Sequence, residues 1–451
     1  MTSSRQRGSL GRALFDMTWP MIFGVVSLMS FQLVDSIFIS MLGVEPLAAL
    51  GFTVPVNQLF IAIQVGIGIA ATALISRALG AGNPERAKRL GGLVIAIGGV
   101  AMLTLCVLVW VVRRPLLTAL GADPALLPMI GQYWLPWLGS AWVGAMLYFA
   151  YSICRANGDT RLPGLMMVVT SLLNLALDPL FIFVFGWGLP GAALATLTAF
   201  GLGAAVTFMR LQRRAWLRLD PHGLPPLPAL RQLAGISLPA MVSQLMPAVS
   251  ALLATNLVAG FGAGAVAAWA LGTRLEYFSI VTVLALTMSL PPMVGRFLGA
   301  GQLKRIRSLI KIAARFVLGL QLIIALAWMA GSGMLPGLLA PEPEVAELLH
   351  AYLLLVPLSY GPLGVCMIMV SVCNALGLPA RAVLISFIRL FVCYLPGLWL
   401  GARLGGMPGL YAGALAGNLA AGAISWLLYN QAIERLQGSA PGLARSARQQ
   451  A

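Results

Sequence analysis

The chain has 451 residues, of which 59% are hydrophobic and only 9% charged, against roughly 25% charged in an ordinary soluble domain. That balance argues against a water-soluble globule and for a chain embedded in lipid. The formal net charge of +16 would suit nucleic acid, but the cations fall in short gaps between apolar blocks, not along one amphipathic face, so membrane lipids with anionic headgroups are the expected neighbours and no nucleic-acid partner is expected.

Arg5, Arg7 and Arg12 precede an apolar run from Met17 to Ser40 that is too long for a signal-peptide core and lacks a small-residue cleavage site, so it reads as a first membrane span. A helix needs about 20 residues to cross a hydrocarbon core of about 30 Å. Twelve blocks meet that requirement, over 17–40, 46–76, 90–112, 128–153, 162–185, 189–212, 235–259, 264–295, 309–331, 347–374, 380–403 and 407–431. The loops after even-numbered spans hold most of the cations, among them Arg77, Arg86, Lys88, Arg155, Arg210, Arg213, Arg214, Arg296, Lys304, Arg305, Arg307 and Arg381, whereas Glu45, Asp123, Glu342 and Glu344 lie on the other side. The positive-inside rule therefore predicts a multi-pass protein of a bacterial inner (plasma) membrane with both termini cytoplasmic.

The sequence repeats at a spacing of 219 residues. Pro20 falls on Pro239, Gly43 on Gly262, Arg77 on Arg296, Gly82 on Gly301, Arg86 on Arg305, Cys154 on Cys373 and Gly158 on Gly377; one residue out of step, Pro190 falls on Pro408. Six spans per repeat is an even number, so both halves share one orientation, and transporters built that way place their substrate site between the halves. The predicted organisation is an all-α membrane protein with twelve transmembrane helices in two pseudo-symmetric six-helix lobes: an N-terminal lobe over 1–212, a cytoplasmic linker over 213–234 with Pro221, Pro225, Pro226 and Pro228, a C-terminal lobe over 235–431 and a cytoplasmic tail over 432–451. Small residues recur every fourth position in span six (Gly191, Ala195, Ala199, Gly203) and span twelve (Gly409, Gly413, Gly417), the pattern that lets helices approach closely in lipid.

Of the 13 acidic residues, ten fall where charge costs little. Asp35, Asp178 and Glu276 do not. A carboxylate at mid-membrane costs about 3 kcal/mol on insertion scales and usually marks an ion or proton pathway. Asp35 is about 18 residues into the first span and Asp178 about 16 into the fifth, so at a rise of about 1.5 Å per residue both lie roughly 24 to 27 Å from the inner face. Asn174 precedes Asp178 by one helical turn on the same face, and Thr196 should reach a similar level from span six. Two carboxylates, an amide and a hydroxyl make an all-oxygen metal site suited to a hard cation if Na+ is the coupling ion; the same pair could exchange protons, because two carboxylates held close away from water cannot both keep their charge. Spacing does not separate H+ from Na+. Pro179 deprives the Leu175 carbonyl of its helical donor beside Asn174.

Glu276 lies in span eight with Arg274 nearby and Arg389 in span eleven, an arrangement that reads as mutual neutralisation or a second site. In the repeat register Glu276 matches Asn57 and Asp35 matches Ala254, so the carboxylate pair belongs to the first half alone. Tyr133, Met241, Tyr277, Asn57 and Glu276 are candidates for a substrate cavity, where aromatic faces and thioethers suit flat lipophilic cations. Five dispersed cysteines without CxxC spacing and two isolated histidines, His222 and His350, provide neither a disulfide framework nor a catalytic cluster, so no enzyme, no catalytic residue and no bound cofactor is expected.

Five segments carry a family resemblance: FQLVDSIFISMLG in the first span, RALGAGNPERAKR after the second, RANGDTRLPG after the fourth, NLALDPLFIF in the fifth, and RLEYFSIVTVLALTMSLPPMVGRFLGAG in the second half. With these, nearly the whole chain resembles the multidrug and toxic compound extrusion (MATE) family, in particular its DinF-like prokaryotic branch. The resemblance implies a secondary active antiporter that exports cationic amphiphilic compounds in exchange for H+ or Na+ by alternating access. It implies that Asp35, Asn174, Asp178 and Thr196 match the family's cation site, that Tyr133 stands where an aromatic lines that pocket, and that Glu276 is the local candidate for a second-lobe carboxylate. A monomer is expected. The alternative is a flippase of lipid-linked oligosaccharides, which would need about fourteen spans and a basic cavity.

Overall fold

The computed structural model describes residues 3–218, 226–340 and 342–438, and all regular structure among them is helical. The first half comprises α1 (Ser3–Ser40), α2 (Val44–Gly51), α3 (Val54–Gly80), α4 (Pro84–Val111), the short α5 (Arg113–Ala119), α6 (Leu127–Ala156), α7 (Arg161–Pro179) and α8 (Gly188–Arg213). The second comprises α9 (Pro226–Ala259), α10 (Ala263–Ser279), α11 (Val281–Gly299), α12 (Leu303–Gly331), the short α13 (Leu335–Leu339), α14 (Pro343–Leu355), α15 (Tyr360–Ala375), α16 (Pro379–Phe387) and α17 (Leu395–Gly438). Two π-helical turns, Leu180–Val184 and Ile388–Tyr394, interrupt spans five and eleven.

Among the described residues eleven stretches are long and apolar enough to cross a membrane. One of them, Pro379–Gln437, is folded in two where Gly405 and Gly406 leave helical geometry, Gly406 at φ 61, and this division gives the twelve spans of the fold. Span eight is not one helix as the sequence predicts: α10 and α11 meet at Ile280, just after Glu276. Span two is likewise stepped at Phe52 and Thr53. The predicted linker prolines Pro221 and Pro225 lie outside the described residues, as does most of the predicted tail, while 226–234 forms the opening of α9.

The sequence repeat is written into the backbone. Gly43 (φ 116) pairs with Gly262 (φ 104), Gly82 (φ 78) with Gly301 (φ 69), Gly158 (φ 86) with Gly377 (φ 72), and Gly188 (φ 58) with Gly406 (φ 61). In each of these four pairs the turn uses a left-handed residue at the same place, where a side chain would be strained.

By contacts the chain forms two units, Met17–Met241 and Met1–Asp16 with Val242–Ala451. In the first, α6 is the central helix, packed on α3, α4 and α8, while α7 lies against α8; Trp134, Phe149 and Ile153 of α6 are fully buried. In the second, α15 takes that role against α11, α12 and α17. Large apolar side chains such as Leu322, Ile323 and Leu326 on α12 point outward, the inverse of a soluble surface and the expected one where the solvent is hydrocarbon.

The small-residue seams are packing devices. A Cβ at Gly191 would sit 2.8 Å from the Phe181 carbonyl oxygen and one at Gly203 would meet the Thr170 methyl. In span twelve the seam is tighter: Cβ atoms on Gly409 and Gly413 would run into the carbonyls of Gly401 and Gly397, and one on Gly417 would lie 2.7 Å from the Cys393 carbonyl oxygen. Only backbone fits between these helices.

Candidate functional site

Four elements of the first unit converge on the intramembrane carboxylates. Asp35 comes from α1, and Asn174 and Asp178 come from one face of α7, where the α-helix ends at Pro179. The ladder then widens: Phe185 N–H bonds back to the Leu180 carbonyl at 2.9 Å, a π-type step. A π-bulge of this kind commonly marks a functional stretch. The proline that removes a donor from the turn below and the wide turn above leave Asp178 on a short, locally unpaired stretch of helix. Phe38, one turn beyond Asp35, sets its ring edge-on against Phe183 with centroids 6.3 Å apart, which holds α1 to this turn.

The two carboxyl groups lie within hydrogen-bonding reach of each other. A hydrogen bond between two acids needs one proton between them. Asp178 and Asn174 are fully buried, and Asp35 and Thr196 half-buried. The Asn174 amide satisfies both its neighbours when its nitrogen faces Asp178, donating to Oδ2 at 2.6 Å and Oδ1 at 3.0 Å, and its oxygen faces Thr196, accepting from the backbone N–H at 3.1 Å and from Oγ1 at 2.9 Å. Tyr133 of α6 is buried within electrostatic reach of both aspartates. Asp35 Oδ1 is buried without a hydrogen-bond partner, and so is the hydroxyl of Ser171, seven residues before Asp178 on the same face of α7. An orphaned carboxylate oxygen beside a second acid is unusual in a protein interior.

The structure thus brings together Asp35, Asn174, Asp178, Thr196 and Tyr133. The remaining cavity candidates take no part in this network. Asn57 is half-buried on α3, and Met241 is pressed against α3, where a Cβ on Gly66 would collide with its Cγ. Tyr277 is 61% exposed. Ser171 escaped the sequence reading because a lone serine in an apolar helix carries no signal of its own.

In the second unit Glu276 is half-buried and accepts a hydrogen bond from the Tyr352 hydroxyl at 3.2 Å, with Arg389 as its charged neighbour. Of the two cations that the sequence sets near Glu276, Arg274 takes no part. Arg274 and Glu276 are two positions apart on a helix, so their side chains diverge, and Arg274 is exposed. Trp269 and Tyr411 stack at 6.4 Å and Tyr352 stands edge-on to both. Tyr352 was missed, although the 219-residue register places it on Tyr133. His350 is a satisfied structural residue, its Nδ1 2.7 Å from the Ser332 carbonyl oxygen.

Twelve spans in two repeats, a pair of intramembrane acids and small-residue seams define a polytopic membrane transporter. The family model MatE matches the chain twice, over residues 20–180 and 239–400, once in each repeat. Among relatives, the chain is 30% identical over 436 residues to the FAD transporter of Shewanella oneidensis, covering 95% of this chain and 96% of that one. It is 24% identical over 415 residues to the probable multidrug resistance protein YoeA of Bacillus subtilis, covering 88% of each. The fold superimposes on the Vibrio cholerae MATE transporter VcmN in its bent form with a TM-score of 0.94 and 55% identity, covering 95% of this chain and 98% of that one. The chain is a member of the MATE family of multi-pass membrane transporters, which are not enzymes.

Proposed function

We propose that the protein is a secondary active antiporter of a bacterial inner membrane, with both termini cytoplasmic, that works as a monomer and exports cationic amphiphilic compounds against an H+ or Na+ gradient. The observation that carries this reading is the close pair of Asp35 and Asp178, closed off by Asn174 and Thr196. Ion binding there changes how α1, α7 and α8 pack, and it biases alternating access by the difference in its affinity for the two states. We take a proton as the occupant because two acids within hydrogen-bonding reach need only one proton between them, and an Asn174 nitrogen donating to Asp178 is compatible with it.

The test is uptake of a fluorescent cation into inverted vesicles with a pH or a sodium gradient imposed separately. Transport should follow the pH gradient and vanish in Asp35→Asn at unchanged expression; full gradient-driven transport by that variant would refute the role of the pair. A second reading, export of a flavin dinucleotide, is supported by the Shewanella relative. FAD uptake into the same vesicles, with dye movement absent, would select it.

A further inference from the structure

The second unit carries a groove of about 410 Å³ between α12 and α17, with α15 beneath it. Lys311, Arg315 and Leu318 form its α12 wall, one face at spacings of four and seven, and all three are exposed. The α17 wall repeats that spacing with Leu419, Ala423 and Trp426. The floor is held open by backbone contact: a Cβ on Gly422 would lie 2.8 Å from Pro362 Cβ, so α17 and α15 touch there and the side chains on either flank stand clear.

The groove is apolar except at one end, where it carries two cations. Arg307, one turn before Lys311, is taken up by Glu434 at 3.7 Å. Lys311 and Arg315 have no ion pair or hydrogen bond among the described residues, and no carboxylate lines the groove. Lys304, Arg305 and Arg307 mark where α12 meets headgroups. At a rise of about 1.5 Å per residue, Lys311 stands roughly 10 Å and Arg315 roughly 17 Å further along, where their stems are long enough to reach back toward the interface. A lysine point charge and an arginine fork one turn apart suit a phosphate. Only an anion with its own hydrocarbon also fits the apolar remainder.

We propose that this groove binds an anionic phospholipid of the surrounding leaflet, its phosphate between Lys311 and Arg315 and one acyl chain along Leu318, Leu419, Ala423 and Trp426. The site is separate from the aspartate pair and does not depend on the transported compound.

The experiment is native mass spectrometry of the detergent-purified full-length protein titrated with phosphatidylglycerol or phosphatidylcholine of matched chains. At least a tenfold preference for phosphatidylglycerol at one saturable site is expected, retained in Lys311→Arg and reduced to within twofold in the double variant Lys311→Gln, Arg315→Gln. Equal binding of the two lipids by the wild type, an undiminished preference in the double variant, or displacement by equimolar inorganic phosphate would each overturn the proposal. A readout that keeps both cations uses phosphatidylglycerol brominated in mid-chain, which should quench a fluorescence component absent from Trp426→Phe. If no such component exists, no chain lies in the groove.

Discussion

The two halves of this transporter share a backbone plan and differ in what fills it. In register, Asp35, Asn174, Asp178 and Thr196 of the first half fall on Ala254, Cys393, Gly397 and Ala414 of the second. Where the first half keeps two acids and their partners, the second presses Gly397 against the Gly413 backbone and Cys393 against Gly417. The polar site and the glycine seam are alternative occupants of one space between spans five and six, or eleven and twelve. Tyr133 and Tyr352 make the same point from the opposite side: the aromatic persists in both halves, facing the aspartates in one and hydrogen-bonding Glu276 in the other.

The comparison can be broken most forcefully at the acids. Asp178→Asn is expected to reduce gradient-driven transport to the level of vesicles lacking the protein, with folding retained, because it leaves an isosteric amide in a buried site; dye efflux under an imposed gradient is the measurement. The reciprocal change, Gly413→Val, forces a branched side chain into a backbone contact. Overpacking typically costs about 1 to 3 kcal/mol, and here the neighbour is a carbonyl that cannot rotate away, so loss of monodisperse protein or a fall in melting temperature is expected in detergent. Asp35→Ala, which matches the second half's Ala254, should by contrast remain folded.

Smaller effects sharpen the assignment of partners. Tyr352→Phe removes the hydroxyl that Glu276 accepts from, a loss of about 1 to 3 kcal/mol if the carboxylate is left unpaired, whereas Arg274→Ala should shift stability by less than about 0.5 kcal/mol, as exposed substitutions do. Equal effects of the two would return Arg274 to the role the sequence suggested. Thr196→Val removes one neutral hydrogen bond to Asn174, worth about 1 kcal/mol; a several-fold weaker apparent affinity for the coupling ion is expected, with recovery in Thr196→Ser, read from the dependence of transport on pH or sodium concentration.

Much of this architecture was legible in the sequence because lipid imposes it. A backbone group in hydrocarbon has no partner but its own helix, so apolar block length reports span number. The repeat reports that both halves follow one backbone plan, and a carboxylate's cost in oil singles out three residues of 13. Equal depth on two helices was also arithmetic. The chain alone could not show which way those side chains face, since a helix presents any residue to lipid, neighbour or cavity according to rotation, and rotation is set by packing. Tertiary structure decided that Asp35 and Asp178 come within hydrogen-bonding reach of each other, that Arg389 stands by Glu276 while Arg274 is exposed, that span eight breaks at Ile280, and that glycine backbone contacts fill the corresponding place in the second half. Each depends on which atoms of distant segments come within about 3 Å, a distance no spacing along the chain encodes.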